Sequence, residues 1–224
     1  MLFFKAWLET RWRFVFMLVS TALCLLIPYT MNAPTQRAWV GITLEFALLN
    51  CVTAAYLAGS GINAQTLYSA TSGFHGSMLF TLSLPVSRRR LLLTRAGLGA
   101  LETASFVLLT AGVLFVLRPA TISAATVLRY LPGALLSTLA IYALSTLLAC
   151  LLDEMWQFSG TLLLLGALWS LNMRLPAAIP YSPLHGLNLS GYAQTMPWAS
   201  MAVSLAAIVL LLPASLWVLN RKEC

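Results

Sequence analysis

Long apolar runs separated by short polar breaks dominate the chain. The runs lie near 14–30, 39–60, 90–117, 131–152, 156–172 and 198–219. Crossing the hydrocarbon core of a bilayer takes about 20 residues as a helix. Strands are much shorter than these runs, so helices are predicted throughout. The expected fold class is an all-α integral membrane protein with six transmembrane helices. No Pro/Gly/Ser-rich linker divides it, and 1–224 is read as a single transmembrane domain. No internal repeat is visible, which argues against the repeat architecture of many secondary transporters.

Outside the runs, residues 1–13 form an amphipathic stretch. Lys5, Glu9 and Arg13 share one helical face, while Phe3, Phe4, Trp7 and Leu8 take the other. Aromatic residues opposite basic ones suit a helix lying in the membrane interface. A cytoplasmic extension of the first span would show the same residues. Ile27-Pro28-Tyr29 is a poor small-residue cleavage site, so this end is not expected to be a cleavable signal. Two connections are long, about 61–89 and about 173–197. The second, with Pro176, Pro180, Pro183 and Pro197, is apolar for a free loop. Short helices covered by protein would accommodate it.

Composition agrees with the pattern. Sixty per cent of the residues are apolar, 8% are charged and the mean hydropathy is +0.86. A soluble domain carries about 25% charged residues, so a soluble enzyme, a disordered chain and a disulfide-stapled secreted module are all excluded. The net charge of +7 is assigned to cytoplasmic loops facing anionic lipid, with no nucleic-acid partner expected. With a cytoplasmic N-terminus, Lys5, Arg11, Arg13, Arg88, Arg89, Arg90, Arg95, Arg221 and Lys222 fall inside. Arg37, Arg118, Arg129 and Arg174 fall outside. That bias predicts a multi-pass protein of the cytoplasmic (inner) membrane with both termini cytoplasmic.

Chemistry is sparse. A phosphate-binding loop needs Gly-Lys-Ser/Thr, and the two lysines, Lys5 and Lys222, follow Phe4 and Arg221. There is no HExxH and no GxSxG, and Cys24, Cys51, Cys150 and Cys224 show no CxxC spacing. No catalytic residue, metal ligand set, disulfide or resident cofactor is expected, and the chain is not read as an enzyme. Two acids fall within the spans, Glu45 and Glu102. An intramembrane acid is a candidate polar site because its charge is costly there.

The most unusual segment is 73–99, GFHGSMLFTLSLPVSRRRLLLTRAGLG. Pro85 disfavours helix at Leu84, and Ser87 is placed to cap the helix that follows. Gly76-Ser77, a nine-residue offset from Gly76 to Pro85, the run Ser83–Arg88 (SLPVSR) and then a long span resemble one family. It is the permease subunits of ATP-binding-cassette exporters of the export type-2 class, the six-span type V exporter fold. The resemblance covers the whole chain in layout and about 20 residues in motif. The family commonly has acids before the Gly-Ser/Thr step; this chain has Ser72-Gly73-Phe74-His75.

The resemblance implies a cytoplasmic coupling helix between spans 2 and 3. It would contact a separate cytosolic ATPase through Tyr68, Ser72, Phe74, His75, Gly76 and Ser77. Pro85, Ser87, Arg88, Arg89 and Arg90 would brace the loop, the arginines also anchoring it to the inner surface. ATP and Mg would sit on two ATPase copies, and a second permease copy, identical or homologous, would complete the dimer. The expected function is export of an amphipathic or hydrophobic cargo by alternating access. The alternatives are a non-transporting polytopic assembly or sensor subunit, or an ion-coupled carrier.

Overall fold

The computed structural model describes residues 2–31, 36–58, 88–118, 122–152, 154–189 and 196–221. They form six α-helices: α1 (Leu2–Met31), α2 (Gln36–Leu57), α3 (Arg88–Leu117), α4 (Ala124–Leu151), α5 (Glu154–Arg174) and α6 (Trp198–Arg221). Two short 3-10 helices, Pro176–Tyr181 and Pro183–Leu187, lie between α5 and α6. No strand occurs among the described residues. Within α3, α4 and α6, the segments Leu93–Leu117, Ala124–Leu151 and Trp198–Val218 are long and apolar enough to cross a membrane. The apolar part of α2, Thr43–Leu57, is shorter.

Side-chain polarity is inverted relative to a water-soluble bundle. On α6, Ser200, Ser204 and Ser215 are buried while Trp198, Leu205, Val209 and Leu210 are exposed. On α3, Glu102, Thr103 and Thr110 are buried while Leu101, Leu108 and Leu109 face outward. On α5, Gln157 and Thr161 point in and Leu162, Leu163 and Leu164 point out. An outer surface this apolar is stable against lipid and costly against water. The chain is thus a helical membrane protein.

At the centre of the bundle, α4 packs against α2, α3, α5, α6 and the second 3-10 helix. Its buried positions are mostly small, including Gly133, Ala134, Ser137, Ala140, Ala143, Ser145 and Ala149. Small residues let helix backbones approach closely, which drives helix association in lipid. The serines of α6 are buried alongside them. Larger side chains, among them Phe46, Leu57, Val107, Leu114 and Tyr130, fill the core.

Two expectations change. The boundary between an interfacial helix at 1–13 and a span from 14 is absent, because α1 is continuous over 30 residues. The reason is a single inward stripe: Thr10, Met17 and Thr21 are all buried, while Trp12, Phe16, Val19 and Leu23 are exposed. Such a stripe at helical spacing holds one straight helix against its neighbours. The second change is at α4, which begins seven residues before the apolar run at 131. Ser123 caps it by accepting from the Thr126 amide at 3.2 Å. Arg129, expected in an external loop, is instead an exposed residue of the second turn of α4. Pro132 is accommodated within the helix.

The connection after α5 folds into short helices, as its composition predicted. Ser182 joins them: its hydroxyl accepts from Asn172 at 2.9 Å, and its carbonyl accepts from Ser200 at 2.8 Å. Gly186 lies against the Gly133 carbonyl and the Ser137 side chain of α4, where a Cβ has no room. Leu187 and Leu189 are buried in the core.

Candidate functional site: the end of α2 and the buried polar groups

A helix leaves its last four carbonyls without intrahelical donors. At the end of α2 two of these groups, the Ala55 and Tyr56 carbonyls, are met by side chains from other helices. Gln157 of α5 donates to the Ala55 carbonyl at 2.8 Å, and the Ser145 hydroxyl of α4 lies 3.4 Å from the same carbonyl. Arg13 of α1 donates to the Tyr56 carbonyl at 3.3 Å, with its guanidinium 5.2 Å from the Tyr56 ring centre.

Around these bonds the side chains close a circuit. The second amide hydrogen of Gln157 reaches Ser145 Oγ at 2.5 Å. Ser145 and Thr161 share a bond of 2.9 Å, and Thr161 donates to the Gln157 carbonyl at 2.7 Å. Gln157, Ser145 and Thr161 are all buried. The Tyr56 ring lies between Phe16 of α1 and Phe158 of α5, with centroids 6.2 and 6.3 Å away. A hydrogen-bonded network in an apolar interior is rigid, because any slip leaves a buried polar group unpaired.

Of the two acids expected within spans, the structure buries Glu102 and exposes Glu45. Glu102 accepts a hydrogen bond from Thr10 of α1 on Oε1. Its Oε2 is buried with no partner among the described residues. Arg95, two turns earlier on α3, is also buried. Further along the bundle, Thr110 Oγ1 lies 3.3 Å from Asn50 Oδ1, while Asn50 Nδ2 and Thr53 Oγ1 are buried without a partner among the described residues.

The expected ATPase-contact residues Tyr68, Ser72, Phe74, His75, Gly76 and Ser77 lie outside the described residues, as do Pro85 and Ser87. Arg88 is the first residue of α3. Arg88 and Arg89 occupy its first turn, and Arg90 is exposed there. In sequence, the stretch from Gly76 to Ser87 that carries the resemblance falls between the end of α2 at Leu57 and the start of α3 at Arg88.

Sequence reasoning passed over Gln157, Ser145 and Thr161. One signal was present: Gln157 and Thr161 are one helical turn apart on a Leu-rich helix, so they share a face. Comparison of the chain with protein-family models, curated proteins and solved structures finds no match.

Proposed function

We propose that the chain is the permease subunit of an ATP-binding-cassette exporter with six spans, all six α-helices crossing the bilayer and both termini cytoplasmic. The observation that carries this reading is the Gly76-Ser77 to Ser83–Arg88 element, placed between α2 and a 30-residue helix that starts at Arg88. In this reading, Tyr68, Ser72, Phe74, His75, Gly76 and Ser77 dock on a cytosolic ATPase that supplies ATP and Mg chemistry. Pro85, Ser87 and Arg88–Arg90 brace the docked segment at the membrane surface. The permease works as a dimer, with two ATPase copies, and its cargo is amphipathic or hydrophobic.

Two features support the division of labour. The chain has no Gly-Lys-Ser/Thr sequence, so the energy source is assigned to another polypeptide. The inverted polarity of the bundle leaves a lipid-facing surface rich in leucine and aromatic residues. Glu102 is the one intramembrane acid whose placement fits a polar role inside the bundle, and Glu45 faces outward.

Purification of a tagged chain in mild detergent tests the proposal. A cytosolic ATPase should co-purify, and Gly76→Glu or Phe74→Glu should release it while membrane insertion is retained. A monodisperse chain without any ATPase, or an ATPase held equally well by both variants, would overturn the reading or the placement of the docking segment, respectively.

A further inference from the structure

We infer that Gln157 is a positioning residue that makes the end of α2 move together with α4 and α5. The inference rests on the exporter reading, in which the segment after α2 receives the push of the ATPase. Its own support is the geometry at Ala55 and Tyr56.

A helix end near a loop ordinarily completes its carbonyls with water or with its own following residues. Here the carbonyl of Ala55 is held by Gln157 from α5, with the Ser145 hydroxyl of α4 beside it, and the carbonyl of Tyr56 is held by Arg13 from α1. Gln157 is the hub. It has two amide hydrogens, one placed on α2 and the other on α4, while its own main chain is tied back through Thr161. Gln157 is 2% exposed, so water cannot replace these bonds when they break.

Displacing the last turn of α2 therefore leaves two choices. Either α4 and α5 follow, or a buried carbonyl and a buried amide lose their partners at once. The second is costly in an apolar interior. Motion of a rigid element at such a joint is passed on as a unit. The Tyr56 ring, set between Phe16 and Phe158, opposes sideways escape on the same turn. The amide adds a directional bond to the packing of α2 against α5.

The test is a pair of spin labels, at Leu48→Cys on α2 and Met155→Cys on α5, both exposed positions, with the four native cysteines replaced. The complex of the chain with its ATPase is reconstituted in lipid nanodiscs. The distance between the labels is measured with and without a non-hydrolysable ATP analogue, in the parent and in Gln157→Met, which keeps the length and removes both donors. In the parent the distance is expected to stay constant on adding nucleotide. In Gln157→Met the distance without nucleotide stays at the parent value, and nucleotide shifts or broadens it. A distance as constant in Gln157→Met as in the parent would overturn the inference alone. A chain that binds no ATPase overturns the exporter reading and the inference with it. Should Gln157→Met not fold, Ser145→Ala with Thr161→Val cuts the circuit on the α4 side alone, and it is read with the second label moved to the exposed Leu128→Cys of α4: a distance from Leu48→Cys that nucleotide shifts in this variant and not in the parent supports the inference, and one equally constant in both overturns it.

Discussion

The Tyr142 hydroxyl of α4 donates to the main-chain carbonyl of Ala96 on α3 at 3.0 Å, and its ring occupies the space that a side chain at Gly99 would need. An added Cβ at Gly99 would run into the hydroxyl and lie 3.0–3.1 Å from two ring carbons. Close contact of α3 with α4 thus depends on the absence of one methyl group. Gly99→Leu should lower stability by roughly 1–3 kcal/mol through overpacking. Tyr142→Phe should cost about 1 kcal/mol for the lost bond. Because removing the hydroxyl also makes room, Gly99→Ala with Tyr142→Phe should cost less than the sum of the two singles. Thermal unfolding in detergent measures all of these.

Gly186 makes a second close approach, of the 3-10 segment onto α4. Gly186→Val should detach the segment, because a Cβ there meets both the Ser137 side chain and the Gly133 carbonyl. Ser137→Gly should restore part of the loss, since it clears the side-chain obstacle and leaves the carbonyl. Protease sensitivity of the region 175–189 is the readout. Equal sensitivity in Gly186→Val and Gly186→Val/Ser137→Gly would show that Ser137 is not the obstacle.

Thr10 and Glu102 join α1 to α3. Thr10→Val removes the bond to a carboxyl whose other oxygen already lacks a partner among the described residues. Leaving a buried acceptor unsatisfied costs about 1–3 kcal/mol. Glu102→Gln keeps an acceptor for Thr10 and should be milder than Thr10→Val. The ranking, read from the midpoint of unfolding in detergent, is the prediction; a reversed order would mean that the carboxyl proton or charge, and not the bond, holds the helices together.

Helix positions were largely legible in the sequence, because runs of about 20 apolar residues have few other outcomes. The run at 156–172 became α5 and the run at 198–219 became α6, each within a few residues. Errors arose where a polar or breaking residue sat inside a helix. Arg129 read as loop because charge usually ends a helix, yet the Ser123 cap starts α4 ahead of it. The seam at residue 13 failed for a different reason. A face of Lys5, Glu9 and Arg13 is visible in one dimension, whereas the stripe of Thr10, Met17 and Thr21 has meaning only beside a neighbouring helix. The joint at Ala55 was illegible for the same cause. Gln157 shares a helix face with Thr161, but its target is a main-chain carbonyl 102 positions away. No side-chain pattern marks a carbonyl.

Inverted polarity makes an unusual ranking of substitutions. Ser204 is buried on α6 and Leu210 is exposed. Ser204→Leu should cost roughly 1–3 kcal/mol by overpacking, and Leu210→Ala should stay within about 0.5 kcal/mol, as surface changes do. In a water-soluble bundle the buried leucine is the sensitive position. Unfolding midpoints of the two variants in the same detergent decide the order.

Sidedness can be read with an impermeant maleimide on a cysteine-free background. Arg118→Cys should label in intact cells. Arg221→Cys, at the end of α6 where the guanidinium lies 4.0 Å from the Trp217 ring centre, should label only after permeabilisation. Labelling of both from the same side would remove either the six-span count or the assigned orientation.

The burial of serine, threonine and glutamine beneath an aliphatic exterior also bears on temperature. Heat-capacity changes on unfolding come chiefly from apolar groups newly exposed to water. When these helices separate within a bilayer, their leucines exchange one hydrocarbon neighbour for another, and the groups uncovered are hydroxyls and amides. Separation should therefore carry a small heat-capacity change, with a free energy that varies almost linearly with temperature and no cold-induced dissociation. The cohesion of this bundle is set by fit and by directional bonds, and cooling should tighten it.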